Sequence, residues 1–108
     1  MDGHAQVMTT TGTRDDAKAI ALAALRARMA ACVQIVGPIE SLYWWEGDLE
    51  AAEEWLCLMK TSADRVDGLC ETIRAHHRYD TPEITVTPIV GGSPAYLAWI
   101  DSETRGAP

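Results

Sequence analysis

The hydrophobic and polar positions of this chain follow two periods. A period of two runs through the middle: one arm covers about residues 31–46, a second about 49–61, and Gly47-Asp48 stands between them as the turn. Read as strands, both arms are far longer than the usual strand of about 5–6 residues. Fourteen residues of strand at roughly 3.3 Å each reach about 46 Å. The second arm puts Trp55, Cys57 and Met59 on one face and Leu56, Leu58 and Lys60 on the other, because side chains alternate along a strand. Apolar residues on both faces mean that both faces are covered there. Gly37-Pro38 interrupts the first arm and predicts a bulge or bend that re-aims its second half.

A period near 3.6 flanks this hairpin. Thr13 offers an N-cap with Asp16 three residues on, and Ala17, Ile20, Ala21, Ala24 and Leu25 form a helical stripe that ends near Met29. After the hairpin, Ser62 is a plausible cap, and Val66, Leu69, Cys70 and Ile73 share one helical face. That helix stops before Pro82, which has no amide hydrogen and restricts its predecessor. Residues 6–10 and 83–90 read as strands, with Pro88 marking an edge or a bulge. Gly91-Gly92 breaks the chain, Ser93-Pro94 opens a short helix carrying Tyr96, Leu97, Trp99 and Ile100, and residues 104–108 form a disordered tail. The order strand, helix, long hairpin, helix, strand, short helix predicts an α+β fold. It is a ferredoxin-like split βαβ sandwich with a long hairpin of second and third strands and a short C-terminal helix, in a single domain over residues 1–108.

Composition changes the picture at a few points. The net charge of −7 argues against nucleic acid or an anionic membrane surface as partner, since both select basic patches. No apolar run approaches the roughly 20 residues of a membrane-spanning helix, and residues 1–10 show no basic-then-apolar export signal. Cys32, Cys57 and Cys70 form neither an even set nor a CxxC pair, so a reducing, cytoplasmic setting is expected. Tyr43, Trp44 and Trp45 sit near the far end of the hairpin, where one small subunit cannot cover them and water is an unfavourable neighbour. A second copy of the chain is the expected cover. Adjacent Trp44 and Trp45 face opposite ways, one toward core and the other toward a subunit interface, where Trp is enriched.

Five collinear segments carry a resemblance. Ala31-Cys32-Val33-Gln34-Ile35, Ser41-Leu42-Tyr43-Trp44-Trp45-Glu46-Gly47, Leu58-Met59-Lys60-Thr61, His76-His77-Arg78-Tyr79-Asp80-Thr81-Pro82-Glu83 and Tyr96-Leu97-Ala98-Trp99-Ile100 resemble the CutA family of divalent-cation-tolerance proteins. The resemblance implies a ferredoxin-like subunit in a tight homotrimer of interlocked β-hairpins, similar in plan to the PII signalling proteins. It also implies a link to tolerance of copper and other divalent cations. Arg78 departs from the family pattern, which often has Pro there, and makes that turn less rigid and more basic.

Two sets of residues are candidates for chemistry. Cys32, His76 and His77 supply donor types suited to copper or zinc, although adjacent histidines on a helix diverge. The competing reading has the histidines satisfying the last carbonyls of the second helix. The second set is Trp45, Lys60, His77, Tyr79 and Glu83, converging on a cleft between subunits. Lys60 there needs a carboxylate partner, Glu83 or Asp80. The competing reading is a buried ion pair that holds the turn at Thr81-Pro82. A Cys-dependent enzyme pairing Cys32 with His77 needs a lowered thiol pKa. Nothing in the strand around Cys32 supplies one, so all three cysteines read as core residues.

The expectation is a homotrimeric, cytoplasmic, non-enzymatic protein linked to divalent-cation tolerance through metal or small-ligand binding. It requires no cofactor, with Cu²⁺ or another divalent cation as candidate ligand. The alternative is a PII-like sensor of a small anionic metabolite at the intersubunit clefts. Trp45→Asp puts a charge into a desolvated contact and is expected to disrupt the trimer or its folding. Light scattering that shows an intact trimer at micromolar concentration would contradict that placement.

Overall fold

A computed structural model describes residues 3–105. Four strands form one antiparallel sheet: β1 (His4–Thr11), β2 (Cys32–Trp45), β3 (Asp48–Ser62) and β4 (Ile84–Ile89), in the spatial order β2-β3-β1-β4. Helix α1 (Arg14–Arg26) follows β1, α2 (Val66–His76) follows β3 after a 3₁₀ turn at Ala63–Arg65, and α3 (Pro94–Arg105) closes the chain. This is the expected α+β, ferredoxin-like arrangement. Pro88 lies in β4, which among the described residues pairs with β1 alone, the edge position where proline is tolerated.

The core lies between one sheet face and the first two helices. Val7, Cys57 and Met59 from the sheet meet Ala17, Ile20 and Ala24 of α1 and Leu69 and Ile73 of α2, all essentially inaccessible to water. Thr13 caps α1, its hydroxyl accepting from the Asp16 amide at 3.0 Å. The helix stops at Arg26, earlier than Met29, because the chain reverses at Arg28 with φ 60°. The Met29 and Ala30 amides then both turn back to the Ala24 carbonyl.

Among the described residues, the opposite sheet face is covered at one end only. There α3 docks through a fully buried Ile100, a His4–Asp101 contact of 3.0 Å and a hydroxyl bond between Ser62 and Thr104. Thr104 is buried and Arg105 is helical, so the expected tail does not begin at 104. Residues 106–108 lie outside the described residues.

The long hairpin divides where β1 ends. Thr11 pairs with Trp55, and beyond that point the Asp48–Glu54 stretch of β3 is bonded to β2 alone. At the same place Gly37 and Pro38, joined by a cis peptide, stand opposite the single residue Trp55, which is the two-against-one count of a bulge. A Cβ on residue 37 would sit 2.5 Å from the Trp55 ring, so only glycine fits there. The tip turn is Glu46-Gly47, one residue earlier than expected. Trp45 pairs with Asp48, and φ is 49° at Glu46 and 85° at Gly47, the two positive values of a type I′ turn that suits strand twist.

The connection between α2 and β4 is pinned to the hairpin and to β1. The Tyr79 hydroxyl donates to Glu54 Oε2 at 2.9 Å, His77 Nε2 meets the Thr10 carbonyl at 2.8 Å, and Arg78 Nε donates to Asp16 at 2.8 Å. The Arg78 pair is largely exposed and adds little. The Tyr79–Glu54 bond adds more, because Glu54 is only 8% exposed and has few alternatives to this donor. Burial pushes the Tyr79 hydroxyl up to about 12, with the Glu54 carboxylate acting in the same direction.

A pH dependence follows. The folded state holds the Tyr79 proton above the pH where the unfolded state, with a pKa of about 10, has lost it. This part of the stability is complete below pH 10 and falls away between about 10 and 12. Tyr79→Phe is expected to cost about 1 kcal/mol at neutral pH and to flatten the decline between pH 10 and 12. Urea unfolding across that range checks both, and equal slopes for wild type and variant would rule the linkage out.

Candidate ligand site

A cavity of about 540 Å³ lies between the far half of the hairpin and the α2–β4 connection. Strand alternation builds one wall: Ser41, Tyr43 and Trp45 share a ribbon face, the same face that carries Glu54 through the Ile39–Glu54 pairing. Thr10 at the end of β1 joins Glu54 in lining it, and Tyr79, Asp80, Thr81 and Glu83 form the facing side. The lining therefore combines three carboxylates, three aromatic rings, three hydroxyl side chains and Leu42. Among the described residues no ion pair involves Glu54, Asp80 or Glu83. Arg78, next in sequence to Tyr79, is occupied by Asp16.

Trp45, Tyr79 and Glu83 of the expected cluster line this cavity. His77 stands behind it, its ring centroid 4.9 Å from that of Tyr79. Its two nitrogens are both used: Nδ1 accepts from the Tyr79 amide at 3.1 Å, and Nε2 faces the Thr10 carbonyl. That network assigns the proton to Nε2 and leaves no lone pair for a metal. Within one chain Lys60 does not join the cluster. It lies six residues along β3 from Glu54, about 20 Å of strand, and its Nζ donates to the Gln34 side chain. Neither Glu83 nor Asp80 partners it.

The expected metal set is not assembled in one chain either. Cys32 pairs with Lys60 on the sheet face that carries α3, beside the Tyr96 hydroxyl. His76 and His77 end α2 on the other face. His76 donates from Nδ1 to the Thr72 carbonyl at 2.9 Å and is exposed, as expected for a histidine satisfying a late helix carbonyl. Among the described residues no three His, Cys, Asp or Glu side chains converge to hold an ion. The same separation keeps Cys32 from His77 as a nucleophile–base pair. Cys57 is a core thiol pushed up to about 11 by burial, while Cys32 and Cys70 are only half-buried.

Glu54 is the residue that the sequence reading passed over. Its signal was present: it falls on the same face as Leu56 and Leu58, so an acid occupies a place in an apolar series. Trp44 and Trp45 do face opposite ways, but neither is core: they are 71% and 51% exposed.

Comparison with known proteins adds the lineage. The model of the CutA1 divalent ion tolerance protein family matches residues 5–103. A chloroplastic CutA 1 protein of Oryza sativa subsp. japonica is 40% identical over 99 residues, covering 92% of this chain and 56% of that protein. The divalent-cation tolerance protein CutA of Escherichia coli (strain K12 / DH10B) is 37% identical over 103 residues, covering 94% and 92%. The crystal structure of CutA1 from Oryza sativa superposes with a TM-score of 0.93 at 38% identity, covering 98% of this chain and 97% of that one. The chain spans about half the length of the plant relatives it matches. It belongs to the CutA1 divalent ion tolerance protein family.

Proposed function

We propose that this chain forms a homotrimer that serves divalent-cation tolerance by binding a cationic ligand in the cavity beside Glu54. The observation that carries the reading is the cavity's charge: three carboxylates without an ion-pair partner among the described residues. A carboxylate as buried as Glu54 favours a positive partner. The same lining weighs against a small anionic metabolite. The described residues of one chain do not make a closed divalent site, since no three donors among them converge. Direct binding of Cu²⁺ or another divalent ion therefore calls for donors from a second copy or from water. Copper prefers imidazole and thiolate, and the cavity offers carboxylate and hydroxyl oxygens instead.

Support for assembly comes from the other face of the ribbon. Leu42, Trp44 and Leu49 are 72%, 71% and 68% exposed, and Trp44 pairs directly across from Leu49. A contiguous apolar face of that kind marks a contact surface. Among the described residues nothing pairs with the outer edge of β2, and edges of that length are normally covered. Three free cysteines suit a reducing, cytoplasmic compartment, and among the described residues no helix is long and apolar enough to cross a membrane. The reading includes no catalytic step.

Light scattering is expected to give the mass of three chains at micromolar concentration, and a monomer would end the assembly part of the proposal. Titration calorimetry with Zn²⁺ and Cu²⁺ checks direct metal binding. Affinities weaker than about 100 μM for both would leave divalent-cation tolerance without a metal bound to this protein.

A further inference from the structure

We infer that the Glu54 cavity binds a linear aliphatic polyamine, a methylene chain that carries several ammonium groups. This rests on the reading of the cavity as a cationic ligand site and names the class of cation.

Three features of the lining converge on that class. The first is how the carboxylates are spread. Glu54, Asp80 and Glu83 all border one cavity, yet among the described residues no three acidic or other ligating side chains come close enough to hold a single ion. A point charge cannot satisfy all three, whereas a cation with charges distributed along a chain can. The second is the aromatic walls. Tyr43 and Trp45 on the ribbon and Tyr79 opposite are each 40–51% exposed, leaving ring surface free to pack methylenes and to attract ammonium groups.

The third is the unfilled capacity of Glu54. An ionised carboxylate accepts at about four lone-pair positions, and the Tyr79 hydroxyl uses one of them on Oε2. At 8% exposure the remainder is poorly served by bulk water. A primary or secondary ammonium brings N–H donors to that carboxylate, and a quaternary ammonium brings none. The hydroxyls of Thr10, Ser41 and Thr81 accept the remaining N–H groups. A cavity of about 540 Å³ is in the usual range for a small-molecule site.

The test is calorimetry of the whole protein at neutral pH with spermidine, putrescine, choline, Mg²⁺ and succinate as probes. Spermidine, with three ammonium groups for three carboxylates, is expected to bind tightest, putrescine next and choline weakly, with no succinate binding. Glu54→Gln should weaken spermidine by about tenfold or more, the scale of one charge-assisted hydrogen bond. Asp67→Asn removes one charge from an exposed position on α2 and should leave the affinity unchanged. If Glu54→Gln does not fold, the double variant Asp80→Asn/Glu83→Gln carries the same expectation. Spermidine binding no tighter than Mg²⁺ or choline would overturn the inference. So would equal weakening by Asp67→Asn and Glu54→Gln, which would mean diffuse attraction to an acidic surface. A trimer that binds Zn²⁺ but not spermidine would remove the polyamine alone, and a monomer or a protein that binds no cation would remove the wider reading too.

Discussion

β1 ends at Thr11, opposite Trp55, and β3 continues for seven more residues toward the tip. Everything distinctive about this molecule follows from what happens at that step. As far as Trp55, β3 is flanked by β1 and β2 and covered by α1 and α2. Beyond it, β3 pairs with β2 alone among the described residues, and a two-stranded ribbon is marginally stable in water by itself. The bulge at Gly37-Pro38 falls at this same point, with the Trp55 ring filling the space that a side chain on residue 37 would need. The ribbon's far half is thus freed from the sheet and laid beside the α2–β4 connection, where Tyr79 reaches Glu54.

The two faces of that half have been given opposite chemistry by alternation alone. Ser41, Tyr43, Trp45 and Glu54 face the cavity, and Trp44 and Leu49 face away, with Leu42 at the cavity rim. The first set is amphipathic and can hold a polar ligand. The second is apolar, and its exposure is unfavourable by roughly 25 cal/mol for each Å² left in water. A one-residue slip of the β2–β3 register would exchange the two sets. The type I′ turn at Glu46-Gly47, with positive φ at both positions, guards against that slip from one end and the bulge from the other.

Much of this was legible in the chain. The alternation marked both long arms, the Thr13 cap and the Ile20 and Ile73 stripes marked the helices, and Pro88 marked an edge. What escaped was three-dimensional. The Gly-Asp pair looked like the turn, but the closing pair is Trp45 with Asp48, which moves the turn to Glu46-Gly47. Lys60 was drawn toward Glu83 because a lone lysine after an apolar run needs a partner. Within one chain Gln34, two strand positions beyond its neighbour Cys32, meets that need as a neutral acceptor. Thr104 looked like a frayed end because its burial depends on Ser62, which is remote in sequence.

The histidines show the difference most sharply. In a linear reading, His76 and His77 are the obvious donors, since imidazole is the commonest side-chain ligand for copper and zinc. Folding spends both ring nitrogens of His77 on the backbone, one on Thr10 and one on Tyr79. The residue becomes a strut that sets the angle of the Tyr79 ring, 4.9 Å from its own, and through it the hydroxyl that fixes Glu54. On the reading proposed above, recognition passes from nitrogen donors to carboxylate oxygens and ring faces. Such a surface has weak preference for soft transition metals and strong preference for a cation that brings its own hydrogen-bond donors. Replacing the strut would be felt at the cavity even though His77 itself stands behind the lining.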